Sequence, residues 1–146
     1  LNLKYKREQS LKMRIHLTFL ATALLGLNTA QAAISGQSLD ITVENSGKTS
    51  LACSAAFAHW FSADLGEVAP GASRSFSFGV DVKTGNVFQL NSVGDKMAVQ
   101  RIWCGHKGDD WATRAEIPME RRAGVTPEPV HLRCEAGVKA TRCAAP

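Results

Sequence analysis

Residues 103–111 read Trp-Cys-Gly-His-Lys-Gly-Asp-Asp-Trp, which sets a thiol, an imidazole, two carboxylates and two indoles within nine positions. As a metal site this stretch offers His106, Asp109 and Asp110, one nitrogen and two oxygen donors. Zinc takes three or four ligands at defined spacing, such as H-E-x-x-H or paired C-x-x-C, and neither pattern occurs here. Copper would draw on His59, His106 and His131 with Met97 and Met119, but residues 33–146 contain no H-x-H, M-x-M or M-x-x-H repeat. The composition is better explained as a turn. Gly105 and Gly108 permit positive φ, and the aspartates can bond nearby backbone N–H groups. Trp103 and Trp111 then lie on opposite legs, where a cross-strand aromatic contact adds about 0.5–1 kcal/mol. His59, beside Trp60 in an apolar run, reads as a packed or capping residue, and His131 as a solvated one.

Catalytic signatures are absent from the local sequence. There is no G-x-S-x-G elbow and no S-x-x-K, and no Gly-rich loop leads into a helix to cradle a phosphate. Asp109 and Asp110 are adjacent, so on a strand or turn their carboxylates point apart. The reading leans away from an enzyme, and no cofactor site is encoded in a local motif.

Destination is clearer than chemistry. Met13-Arg14-Ile15-His16 is a short basic start, residues 17–27 are an apolar run, and Ala30-Gln31-Ala32 is a small-residue cleavage box. That order is a secretory signal peptide over residues 13–32, cut after Ala32. The apolar run falls well short of the ~20 residues of a membrane span, so no stable membrane anchor is expected after cleavage. Residues 1–12 read as a mis-assigned start or a leader, with translation beginning at Met13. Residues 33–146 form one domain.

The leader carries Lys4, Lys6, Arg7, Lys12 and Arg14 against Glu8, which is the whole of the formal +4 charge. The mature part holds twelve basic and twelve acidic residues, which excludes a cationic nucleic-acid footprint. Asn45, Asn86 and Asn91 all fail the glycosylation sequon. Four cysteines, Cys53, Cys104, Cys134 and Cys143, form an even set that an oxidising compartment converts to two disulfides. A bacterial periplasm or the extracellular medium is the expected location.

The elements that must position these residues are short strands. Leu39, Ile41 and Val43 alternate with polar residues, as do Phe76, Phe78 and Val80, and Val130, Leu132 and Cys134. Further runs are expected at residues 87–91, 97–104 and 111–119. Residues 51–61, Leu-Ala-Cys-Ser-Ala-Ala-Phe-Ala-His-Trp-Phe, fit a strand better than a helix ending at Gly66. The tail, residues 137–146, is small and polar, pinned by Cys143.

About seven short strands separated by turns indicate an all-β protein, a small antiparallel β-sandwich. With turns at Asn45-Ser46-Gly47 and Pro70-Gly71 between alternating strands, the chain resembles the immunoglobulin-like sandwiches of bacterial secreted proteins. The favoured disulfides are Cys53–Cys104, bridging an early and a late strand across the core, and Cys134–Cys143, tying down the tail. The other pairings remain open. Arg114, Glu116, Glu120, Arg121 and Arg122 read as a solvated mixed-charge edge.

What remains is recognition. Trp60, Trp103 and Trp111 are core residues by default, but any that is exposed becomes a stacking platform for a glycan or an anchor for a protein partner. The leading reading is an exported, non-enzymatic binding module. A periplasmic copper- or zinc-binding protein using His59, His106 and His131, and a small secreted hydrolase, are the alternatives.

Overall fold

The computed structural model describes residues 37–146. The leader and signal-peptide readings lie outside the described residues. The described chain is all-β, with nine strands and a single 3₁₀ turn. They are β1 (Gln37–Asn45), β2 (Leu51–Phe57), β3 (Ser62–Val68), β4 (Ser73–Asp81), β5 (Asn86–Leu90), β6 (Lys96–His106), β7 (Ala115–Ile117), β8 (Val130–Ala136) and β9 (Thr141–Ala144). Their hydrogen-bonded order is β3, β2, β6, β5, β4, β1, β8, β9, with β7 also paired to β6.

Alternation decides which face of each strand is buried. Leu39, Ile41 and Val43 of β1, Leu51, Cys53, Ala55 and Phe57 of β2, and Phe76, Phe78 and Val80 of β4 join one buried cluster. Ile102 and Cys104 of β6 enter the same cluster, so strands far apart in the sheet order share one core. Each large apolar side chain removed from water in this way contributes about 1.5–3 kcal/mol.

The disulfides are Cys53–Cys104 and Cys134–Cys143. Both join directly opposed residues of neighbouring strands, β2 with β6 and β8 with β9. Cys53–Cys104 therefore staples adjacent strands within the sheet, which corrects the expectation of a bridge across the core. With 51 residues separating its ends, it stabilises the fold by about 4 kcal/mol in the chain-entropy model.

Other expectations also change. The pairing is not wholly antiparallel, because β1 runs parallel to β8. Residues 51–61 are strand only to Phe57, then turn at Ala58–Trp60. Of residues 111–119 only Ala115–Ile117 is strand. The tail is more than a tether. Thr141–Ala144 pairs with β8, and the Thr141 N–H donates to the Thr113 carbonyl at 2.7 Å. β3 was not anticipated. Its Ser-Ala-Asp-Leu-Gly-Glu run is poor in β-formers, and a bulge between the partners of Cys53 and Ser54 breaks its alternation.

Asn45 lies wholly buried at the end of β1 and holds three elements together. Its Nδ2 donates to the carbonyls of Thr49 (2.9 Å) and Val68 (2.8 Å), and its Oδ1 accepts from the Gly47 N–H at 3.0 Å. Asn45→Ala would strand these partners away from water. Urea unfolding of that variant is expected to show a loss of about 2–4 kcal/mol, whereas a change under 1 kcal/mol would mean the network relaxes without it.

Candidate binding groove

The sheet's outer face over β2 is a trough, and its origin is a size pattern. With Leu51, Cys53, Ala55 and Phe57 turned to the core, the outward residues of β2 are Ala52, Ser54 and Ala56, all small. Paired residues of neighbouring strands share a face. Ser54 stands between Asp64 of β3 and Trp103 of β6, and Ala56 stands between Ser62 and Arg101. Small residues thus run down the centre with larger ones on the flank.

Both flanking strands are bulged there. On β6 the register moves from Ala56↔Arg101 to Phe57↔Val99, which leaves Gln100 without a partner and exposes Gln100 and Arg101 in succession. Arg121 stabilises this bulge, its Nη2 donating to the carbonyls of Val99 (2.8 Å) and Gln100 (2.7 Å). It therefore braces the sheet rather than merely solvating an edge. Arg122 does pair outward, at 2.9 Å from Glu120, and that hydrogen bond holds the Glu120 carboxyl below its ordinary range. On β3 the bulge leaves Leu65 unpaired, and Asp64 Oδ1 accepts from the Gly66 N–H at 2.6 Å.

The 103–111 stretch builds the trough's wall. His106 and Asp109 close a tight turn, with the Asp109 N–H donating to the His106 carbonyl at 3.0 Å. Thr113 Oγ1 fixes the loop by accepting from the His106 N–H (2.8 Å) and donating to the Asp109 carbonyl (2.6 Å). The chain then folds back over Gly105, where a Cβ would fall 2.1 Å from the Asp110 carbonyl oxygen, so only glycine admits the approach. This brings Asp110 onto the sheet, where its Oδ2 accepts from Ser54 Oγ and Trp103 Nε1, both at 2.8 Å. Trp111 meets Trp103 edge to face, with centroids 5.1 Å apart. The Arg114 guanidinium lies 3.9 Å over the Trp111 ring, and Lys107 reaches Glu67 of β3 at 2.8 Å.

The three tryptophans fare differently. Trp103 is only 5% exposed and serves as a foundation, Trp111 is 50% exposed, and Trp60 is fully exposed. The expected burial thus holds for Trp103, though beneath Asp110 and Trp111 on the outer face rather than in the core, and not for Trp60. Trp60 sits on the β2–β3 turn, closed by the Phe57 N–H donating to the Phe61 carbonyl at 2.7 Å. Within that turn His59 and Trp60 both have left-handed backbone, with φ of 67° and 65°. Tight hairpins favour Asn and Gly at such positions, and a non-glycine residue there costs on the order of 1–3 kcal/mol. His59 is therefore an exposed, strained turn residue, which corrects the packed or capping role expected for it.

Together Ser54, Ala56, Trp60, Phe61, Asp64, Gln100, Arg101, Trp103, Asp110 and Trp111 line a groove of about 750 Å³. That is within the roughly 300–1,000 Å³ of small-ligand sites. Its lining contains no histidine, and Ser54 donates to the Asp110 carboxylate rather than to an imidazole. The histidines of the metal reading lie on separate elements, His59 on the turn, His106 at the end of β6 and His131 on β8. His106 Nε2 is enclosed without a hydrogen-bond partner among the described residues. Among those residues no three His, Cys, Asp or Glu side chains gather to hold a metal ion. The sequence reading named all three tryptophans but not Asp64, Gln100 and Arg101, which come to the groove only through the pairing of β3 and β6 with β2 and carry no local signal.

No protein-family model, curated protein or solved structure matches this chain.

The strained turn makes a direct prediction. Replacing His59-Trp60 with Asn-Gly is expected to raise the unfolding free energy by about 1–3 kcal/mol in urea titrations. A loss of stability instead would show that the turn is not strained, or that Trp60 supports the fold.

Proposed function

We propose that the chain is an exported, non-enzymatic binding module of immunoglobulin-like β-sandwich type that recognises its partner through the Trp60–Trp111 groove. The observation that carries this reading is Trp60. A fully exposed indole is held at the mouth of a groove by two consecutive left-handed residues, an arrangement that costs stability and gives the core nothing in return. Features that a fold pays for without structural benefit concentrate at functional sites. Export is supported by the basic, apolar and A-x-A order of residues 13–32 and by two disulfides. The sandwich reading is supported by the single core that strands from distant places in the sheet share.

The test begins with protein recovered from the exported fraction of its host. Its mass should correspond to residues 33–146 less four hydrogens; a retained leader or free thiols would contradict the export reading. That material and its Trp60→Ala variant are then applied to arrays of glycans and of peptides. Wild type should retain at least one class that the folded variant loses at least tenfold. Identical profiles would refute the groove as the site, and turnover of a retained ligand would refute the non-enzymatic reading.

A further inference from the structure

We infer that the groove's ligand is a neutral oligosaccharide, an inference that rests on the binding-module reading above. Three properties of the lining converge on this class. Its aromatic surfaces are open and amphipathic. Trp60 is exposed all round, and Trp111 is half exposed, with the Arg114 and Arg101 guanidinium groups 3.9 Å and 5.9 Å from its ring centroid. A pyranose ring has a flat C–H face that packs on such a surface and a rim of hydroxyls that must be hydrogen-bonded when water leaves.

The polar groups match that rim. Asp110 uses Oδ2 for Ser54 and Trp103, and Asp64 uses Oδ1 for Gly66, so each carboxylate keeps an oxygen with no partner among the described residues. Gln100, held outward by the bulge, adds an amide that both donates and accepts. Sugar hydroxyls donate to the carboxylates and both donate to and accept from the amide. Asp110 is also fixed in place before any ligand arrives, which lowers the entropy lost on binding.

Charge and edges narrow the choice. Asp64 and Asp110 face the groove, while its one cation, Arg101, is already 3.3 Å from Glu116. Two carboxylates against one engaged guanidinium repel uronate, sulfate and phosphate groups. An extended peptide would need a free strand edge, but the floor strand β2 is paired on both sides, to β3 and β6. The outer edge of β3 is interrupted by the bulge at Leu65, which blunts strand addition.

The exported, oxidised protein should be titrated calorimetrically with uncharged oligosaccharides (cellohexaose, mannohexaose and fully N-acetylated chitohexaose), with an acidic polyuronate and with a Lys/Arg-rich peptide. At least one neutral hexasaccharide should bind, with affinity nearly unchanged between low and high salt. That affinity should fall at least tenfold in Trp60→Ala and several-fold in Asp64→Asn, which keeps the oxygen that caps Gly66. A peptide that binds in a Trp60-dependent, salt-sensitive way while the sugars do not would overturn the saccharide inference and leave the groove standing. Trp60-dependent polyuronate binding would overturn the charge argument and the inference with it. If nothing binds in a Trp60-dependent way, both the inference and the groove reading fall.

Discussion

Everything described here hangs on the pairing of β2 with β6, stapled at Cys53–Cys104. Because the two cysteines are directly opposed and point into the core, the next residue on β2, Ser54, and the preceding one on β6, Trp103, must point outward together. The covalent bond thus fixes the strands' register and the parity of every side chain on the outer face. A slip by one residue would turn Ala52, Ser54 and Ala56 inward and put Leu51 and Phe57 in water. The staple contributes about 4 kcal/mol in the chain-entropy model, a large share of the roughly 5–15 kcal/mol that holds a domain of this size folded.

From that parity the groove follows by simple size differences. Small side chains on the central strand leave a trough, and the bulge at Gln100 turns an extra polar group to its rim. The loop after β6 supplies the wall, held on by the Asp110 hydrogen bonds and the Trp103–Trp111 contact. Each wall residue is thereby anchored to the sheet by a partner that is itself fixed, so the site is preorganised. Trp60 is the exception. Its position depends on an unfavourable backbone conformation rather than on packing, which is why the proposed binding role centres on it.

The sequence reveals the strands that obey a period of two, and it reveals them well. β1, β4 and β8 each alternate cleanly, and the two disulfides join the residues favoured from their order along the chain. β3 and β9 were hidden because their runs are short, polar or glycine-bearing, and only pairing with β2 and β8 makes them strands. The turn in the 103–111 stretch was legible, but it begins only after His106, and Trp111 lies within it rather than on a leg opposite Trp103, which pairs with Glu116. Its importance lies in Asp110 reaching back to Ser54, 56 residues earlier. No local pattern encodes that contact. Bulges are equally silent, since an unpaired residue is defined by a partner strand that the sequence does not display. The Ala-rich run at 51–61 was ambiguous between strand and helix for the reason that makes it useful: alanine on alternate positions builds a floor.

The most direct test of this account is a two-dimensional spectrum of the three tryptophan indole N–H groups recorded through a titration with cellohexaose, mannohexaose or fully N-acetylated chitohexaose. If the groove is the recognition site, the Trp60 and Trp111 resonances should move together and saturate. The Trp103 N–H, held by Asp110, should stay protected from hydrogen exchange throughout. Saturable shifts that gather on other strands while Trp60 and Trp111 stay still, or no saturable shift with any of the three, would contradict it.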